Sequence, residues 1–129
     1  MAKILIVEDD ERAVKSYKFK FSTRDEVSKV LVKYAVNAQE AMNIIKNDSP
    51  DLIYLDLSLG ESTNPEGLEI LKEYSKKFNI IVISGFSEYM DECLVLGAKW
   101  YITKPIDFIK MMQTGEDVLN LKTQIQQRT

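Results

Sequence analysis

The 129-residue chain has no histidine, one cysteine and one tryptophan, and each shortage removes a class of chemistry. Without histidine there is no Ser-His-Asp or Cys-His relay, no histidine-ligated zinc and no phosphohistidine carried by this chain. A lone thiol, Cys93, makes neither an intramolecular disulfide nor a cysteine metal site. No apolar run approaches the roughly 18 residues that would suggest a membrane span. The opening Met1-Ala2-Lys3-Ile4 turns acidic too soon for a signal peptide. Basic residues number 17 against 20 acidic ones and are scattered, so there is no positive stripe of the kind nucleic acid needs. Repeats, low-complexity segments and internal linkers are also missing. The expectation is one soluble cytoplasmic domain with no direct nucleic-acid or membrane partner.

What is present is a set of short apolar runs: Ile4-Leu5-Ile6-Val7, Leu52-Ile53-Tyr54-Leu55, Ile80-Ile81-Val82-Ile83 and Trp100-Tyr101-Ile102. Continuous runs rich in β-branched residues suit parallel strands covered on both faces. A fifth, Val30-Leu31-Val32-Lys33-Tyr34, carries lysine, which blunts a sheet edge, and is placed there. Helical spacing fills the intervals. Glu11 to Phe21 presents Val14, Tyr17, Lys18 and Phe21 on one face. Asn37 caps a helix through Ile45, with Glu40 at its third position. Gly67 to Phe78 forms another. Ser87 caps one reaching Leu96, with Gly97 closing it. A last helix starts near Asp107 and runs toward Gln127. Strand and helix alternate five times, the pattern of a doubly wound α/β sheet with helices on both faces.

In such sheets ligands bind outside the carboxyl ends of the strands. Glu8, Asp9 and Asp10 follow the first strand, Asp56 the third, Ser84 and Gly85 the fourth, and Thr103, Lys104 and Pro105 the fifth. Two carboxylates about 4 Å apart repel by about 4 kcal/mol at an effective dielectric near 20. A group of them therefore needs a counter-ion or a proton. A hard cation such as Mg²⁺ answers that need, and Lys104 supplies a second positive charge. A carboxylate nucleophile, a metal, a hydroxyl and an ammonium are the parts phosphoryl transfer uses. Singly, each residue also has an ordinary reading as a turn or cap. Their convergence at four strand ends is what carries weight.

These motifs, Ile4-Leu5-Ile6-Val7-Glu8-Asp9-Asp10, Pro50-Asp51-Leu52-Ile53-Tyr54-Leu55-Asp56, Ile83-Ser84-Gly85, Gly97-Ala98 and Tyr101-Ile102-Thr103-Lys104-Pro105, resemble the receiver domain of two-component response regulators, of the chemotaxis-regulator type. The likeness runs from Lys3 to about Phe108. It implies a five-stranded parallel sheet of flavodoxin-like order 2-1-3-4-5, a receiver unit over residues 1–121, and a C-terminal extension or linker start over 122–129. It makes Asp56 the phosphoacceptor, fed by a sensor histidine kinase or histidine phosphotransfer protein. Glu8 and Asp9 match the Mg²⁺-holding acids, with Asp10 the alternative if the register slips, and Ser58 would add its backbone carbonyl. Ser84 and Lys104 match the residues that bind the phosphoryl oxygens. Pro105 would follow a cis peptide bond. Tyr101 matches an aromatic switch that turns inward as Ser84 moves, repacking the face formed by the fourth helix, fifth strand and fifth helix. An effector domain or protein would read that face, and a homodimer is compatible with it. On this reading the chain is not an enzyme beyond self-catalysed transfer and slow autodephosphorylation.

The chain also departs from the family. Gly60 stands where receivers usually place a proline, and Gly60 to Glu66 is longer than usual, either a tolerated insertion or a determinant of access. Phe86 is bulky enough to shield an acyl phosphate. Cys93 reads as an inert core thiol, Trp100 as a packing residue unless an edge strand exposes it, and Met90, Met111 and Met112 as fillers at helix contacts or, secondarily, the lining of an adaptable interface. Two other functions compete: a degenerate receiver that only docks partners, and a haloacid-dehalogenase-type phosphohydrolase. The latter needs Asp-x-Asp after the first strand, which Glu8-Asp9-Asp10 does not supply.

Overall fold

The apolar runs become five parallel strands in the computed structural model, which describes residues 2–23, 30–57 and 66–128, with side chains described up to residue 120. They are β1 (Ala2–Val7), β2 (Val30–Ala35), β3 (Leu52–Asp56), β4 (Ile80–Ser84) and β5 (Trp100–Thr103). Helices α1 (Glu11–Ser22), α2 (Ala38–Asp48), α3 (Gly67–Tyr74), α4 (Met90–Val95) and α5 (Phe108–Arg128) alternate with them, and a 3₁₀ turn at Ser87–Tyr89 leads into α4. The sheet order is β2-β1-β3-β4-β5, so the chain reverses direction across the sheet beside β1 and β3. Among the described residues no helix is long and apolar enough to cross a membrane.

Strand alternation splits the core in two. Leu5, Val7, Ile53, Leu55 and Val82 pack under α2, α3 and α4, meeting Ile45, Leu71 and Cys93. Ile4, Ile6, Leu52, Tyr54, Ile81 and Ile83 face Tyr17 and Phe21 of α1 and Phe108 and Met111 of α5. Every residue of β3 and β4 is buried, as covering both faces requires. The edge strand β2 alternates instead, and its Lys33 pairs with Asp48 of α2.

Asn37 caps α2 as its sequence suggests, its side chain accepting the Glu40 N–H at 2.8 Å. Asp107 does the same for α5, accepting from Ile109 at 3.0 Å. Four local expectations fail. Lys18 is not on the buried face of α1; it is exposed, with its ammonium 5.3 Å from the centre of the Tyr34 ring, a cation–π contact that keeps the charge in water. The third helix stops at Tyr74 rather than Phe78, and the chain tightens beyond it, with the Lys77 N–H bonding the Tyr74 carbonyl three residues back at 3.1 Å. Ser87 makes no capping bond; it opens the 3₁₀ turn, and α4 proper begins three residues later. Trp100 is 55% exposed, since β5 is the other sheet edge and its alternation buries Tyr101 instead. Cys93 is fully buried, and burial pushes its thiol up to about 11, which makes it inert at neutral pH.

Candidate functional site

Three strand ends deliver the ionic groups. Beyond β1, the Glu8 N–H is held by the Ala35 carbonyl at 2.9 Å, which directs its carboxylate inward. Asp56 closes β3 in register with Ile83 of β4. Lys104 leaves β5 through an N–H bond to the Ser84 carbonyl at 2.9 Å, followed by a cis Lys104–Pro105 peptide. Carboxylate oxygens of Glu8, Asp9 and Asp56 lie within 4.8 Å of one another. The Lys104 Nζ donates to Asp56 Oδ2 at 2.7 Å and sits 3.7 Å from Glu8 Oε1.

Glu8 is only 3% exposed and Asp56 4%. Burial, then the hydrogen bond and charge of neighbouring Asp56, push the Glu8 carboxyl up to about 8. Burial pulls the Lys104 ammonium down, but the hydrogen bond and charge of Asp56, with Glu8 and Asp9 behind it, hold it above its ordinary value. Three acids against one ammonium leave an excess of negative charge, relieved by a proton on Glu8 or by a divalent cation. The donor set is all oxygen and carboxylate, which suits Mg²⁺ and not a thiophilic metal. The cluster therefore fits that ion.

The structure brings Asp9, not Asp10, to the acids. Asp10 turns away and caps α1, accepting the Arg12 N–H at 2.9 Å. Ser58 lies outside the described residues, as do residues 60–65 of the longer loop. Ser84 is fully buried, and its hydroxyl accepts the Phe86 N–H at 3.0 Å. Tyr101 is already inward, 4% exposed, while Ser84 is still bonded to Phe86, so the expected inward turn on movement of Ser84 is not what separates this state from another; its hydroxyl donates to the Phe86 carbonyl. The backbone of Phe86 thus links the hydroxyl to the aromatic residue. Sequence reasoning looked instead at the Phe86 ring, which is half exposed and packs edge-on against Tyr89. No sequence signal marks a peptide group.

Gly67 is a second residue whose role comes from space alone. A Cβ there would lie 3.0 Å from both the Asp56 carbonyl oxygen and the Leu57 Cα, so the start of α3 packs directly on the backbone that presents Asp56. Beside the cluster, a cavity of about 260 Å³ opens between α1 and the segment after β5, with Glu8, Tyr17, Lys104 and Pro105 in its wall. Of the three clustered acids, Glu8 is the one that borders this cavity.

A family model described as the response regulator receiver domain matches residues 4–116. An uncharacterized transcriptional regulatory protein of Bacillus subtilis (strain 168), YhcZ, is 32% identical over 95% of this chain and 59% of its own length. The sensory transduction protein LytT of Bacillus anthracis is 26% identical over 88% of this chain and 46% of its own. The chain thus spans about half the length of these curated relatives. Among solved structures, a CheY-like response regulator receiver domain protein from Methanospirillum hungatei JF-1 superposes with a TM-score of 0.82 at 26% identity, covering 96% of this chain and 98% of that one.

Proposed function

Because the chain belongs to the response regulator receiver family, whose members are phosphoacceptors working with histidine kinases and effector domains, we propose that it accepts a phosphoryl group on Asp56 with Mg²⁺ held by Glu8, Asp9 and Asp56. The donor is a phosphohistidine of a sensor histidine kinase or histidine phosphotransfer protein. The observation that carries this reading is the placement of three carboxylates within 4.8 Å, with Lys104 bonded to Asp56 at 2.7 Å.

In the transfer an Asp56 oxygen forms a bond to phosphorus as the P–N bond to the donor imidazole breaks, and the imidazole leaves with that electron pair. Mg²⁺, when bound, neutralises charge on the phosphoryl oxygens. Lys104 already lies against Asp56 and needs little movement to bind a phosphoryl oxygen. Ser84 would donate its hydroxyl to another, and the Ser58 carbonyl would be a further oxygen donor for the metal. When the Ser84 hydroxyl turns toward the phosphoryl group it leaves the Phe86 N–H, and the Phe86 carbonyl is the group that fixes Tyr101. Switching therefore reaches the α4–β5–α5 face through the Phe86 peptide and through the direct hydrogen bond between the Ser84 and Tyr101 side chains, and an effector domain or a second copy docks on that face. The same reading takes residues 1–121 as the receiver unit and 122–129 as an extension, makes the chain a phosphoacceptor with slow autodephosphorylation and no other enzymatic activity, and places it in the cytoplasm.

Incubation with acetyl phosphate and Mg²⁺ followed by intact mass tests the proposal. One phosphoryl adduct is expected, absent without Mg²⁺ and absent in Asp56→Asn. No adduct on the wild type overturns it and favours a docking module.

A further inference from the structure

Tyr54 is the middle residue of β3, two positions before Asp56 and on the same face of the sheet, which looks toward α1 and α5. Its ring is buried at 1% exposure, and its hydroxyl donates to the Met111 carbonyl of α5 at 2.9 Å. Inside an α-helix that carbonyl also receives the N–H four residues on, from Gly115, so the Tyr54 hydroxyl joins a bond of the α5 ladder. The join is only open because residue 115 has no side chain. A Cβ there would lie 2.1 Å from the Tyr54 hydroxyl oxygen and 2.8 Å from Leu52 Cδ2. Glycine in mid-helix weakens a helix, and here the contact it permits offsets that cost. Burial holds the Tyr54 phenol well above its ordinary range, so it stays a donor at any working pH.

We infer that Tyr54 is a positioning residue that ties α5 to the phosphoacceptor strand, its hydroxyl locked on Met111 through the gap at Gly115. Its signalling meaning rests on the phosphoacceptor reading above; the tie itself does not. Movement at Asp56 has a short covalent path to Tyr54 and one hydrogen bond from there into α5, part of the face assigned to output. This route is separate from the one through Ser84, Phe86 and Tyr101, which ends in β5.

The test uses the full chain, ¹⁵N-labelled, as wild type, Tyr54→Phe, Gly115→Ala and the double variant. Amide hydrogen exchange reads the tie without any ligand. Tyr54→Phe is expected to speed exchange at α5 amides around Gly115 by about fivefold, the effect of losing one net hydrogen bond, with α2 unchanged. Gly115→Ala alone is expected to do at least as much. The double variant should fall well short of the two single effects added together, because the oxygen 2.1 Å from the new methyl is gone and the remaining close atom, Leu52 Cδ2 at 2.8 Å, is the movable end of a side chain. Exchange in Tyr54→Phe within about twofold of wild type overturns the inference, whether or not Gly115→Ala folds. Titration with beryllofluoride and Mg²⁺ then reads the coupling. Wild type should shift amides at Asp56 and along α5. Tyr54→Phe should keep the Asp56 shift and lose about half or more of the α5 shift, a readout that lost stability alone does not move. Equal α5 shifts in both proteins overturn the coupling. If the wild-type Asp56 amide does not respond, the phosphoacceptor reading fails and the exchange comparison still decides the tie.

Discussion

Glu8 is a carboxyl that folding moves out of water to a place beside Asp56, and its proton responds accordingly. Its affinity for that proton rises from the ordinary 4.5 to about 8. The folded chain therefore binds more protons than the unfolded one between those values, and stability falls as pH rises through the window. Without Mg²⁺, urea unfolding from pH 5 to pH 8 should show a declining midpoint, with Glu8→Gln flattening the decline. The metal competes for the same oxygens, so Mg²⁺ affinity is expected to climb over that range. Asp10 shows how a residue can match a motif and serve another end. Its position allowed either a ligand or a cap, and the free N–H groups at the start of α1 claimed it.

Among the elements, β3 and α3 bear most directly on the site, and they meet at Gly67. With backbone atoms only 3.0 Å from where a Cβ would sit, Gly67→Ala forces α3 away from the turn that presents Asp56. A loss of about 1–3 kcal/mol is expected, typical of an overpacked contact, with a slower rate of Asp56 phosphorylation by acetyl phosphate. Urea midpoint and the rate of adduct formation check the two parts. The elements differ in how legible they were. All five strands were readable because continuous β-branched runs have few other uses, and α2 because Asn37 and Glu40 stand at cap spacing. The end of α3 and the start of α4 were not. Ser75 donates its hydroxyl to the Leu96 carbonyl at 2.6 Å, a contact across 21 residues that no local pattern encodes. Ser87 has a capping residue's chemistry but is itself the first residue of a tight 3₁₀ turn that has no side-chain cap bond.

At the scale of the whole molecule, the sheet order decides that the ends of β1 and β3 are neighbours, which sets Glu8 and Asp56 side by side. A ligand held by both ends stabilises the fold by mass action. Mg²⁺ at about a hundred times its Kd should add about 2.7 kcal/mol to unfolding free energy. Thermal or urea unfolding with and without Mg²⁺ measures this, and chelation should reverse it. Asp56→Asn should lose most of the gain, since one of the three carboxylates becomes a neutral amide. Val95 of α4 and Trp100 of β5 are exposed apolar residues, at 86% and 55%, although others, such as Phe19 of α1 at 68%, lie elsewhere on the surface. The face that carries Val95 and Trp100 is where effector docking is proposed.

The sequence by itself determined the fold class and the chemical inventory of the strand ends, because apolar runs, cap spacing and acidic turns are local patterns. It also carried the clue at Gly115, a glycine inside a helical stretch, without saying what approached it. Only the tertiary structure decided that Asp9 rather than Asp10 joins the acids, that Tyr101 lies inward on the Phe86 carbonyl, and that Tyr54 reaches α5 across 57 residues. These are questions of which groups meet when strands pair and helices close over them. Distances between segments far apart in the chain are settled by packing, and packing has no period that a sequence can display.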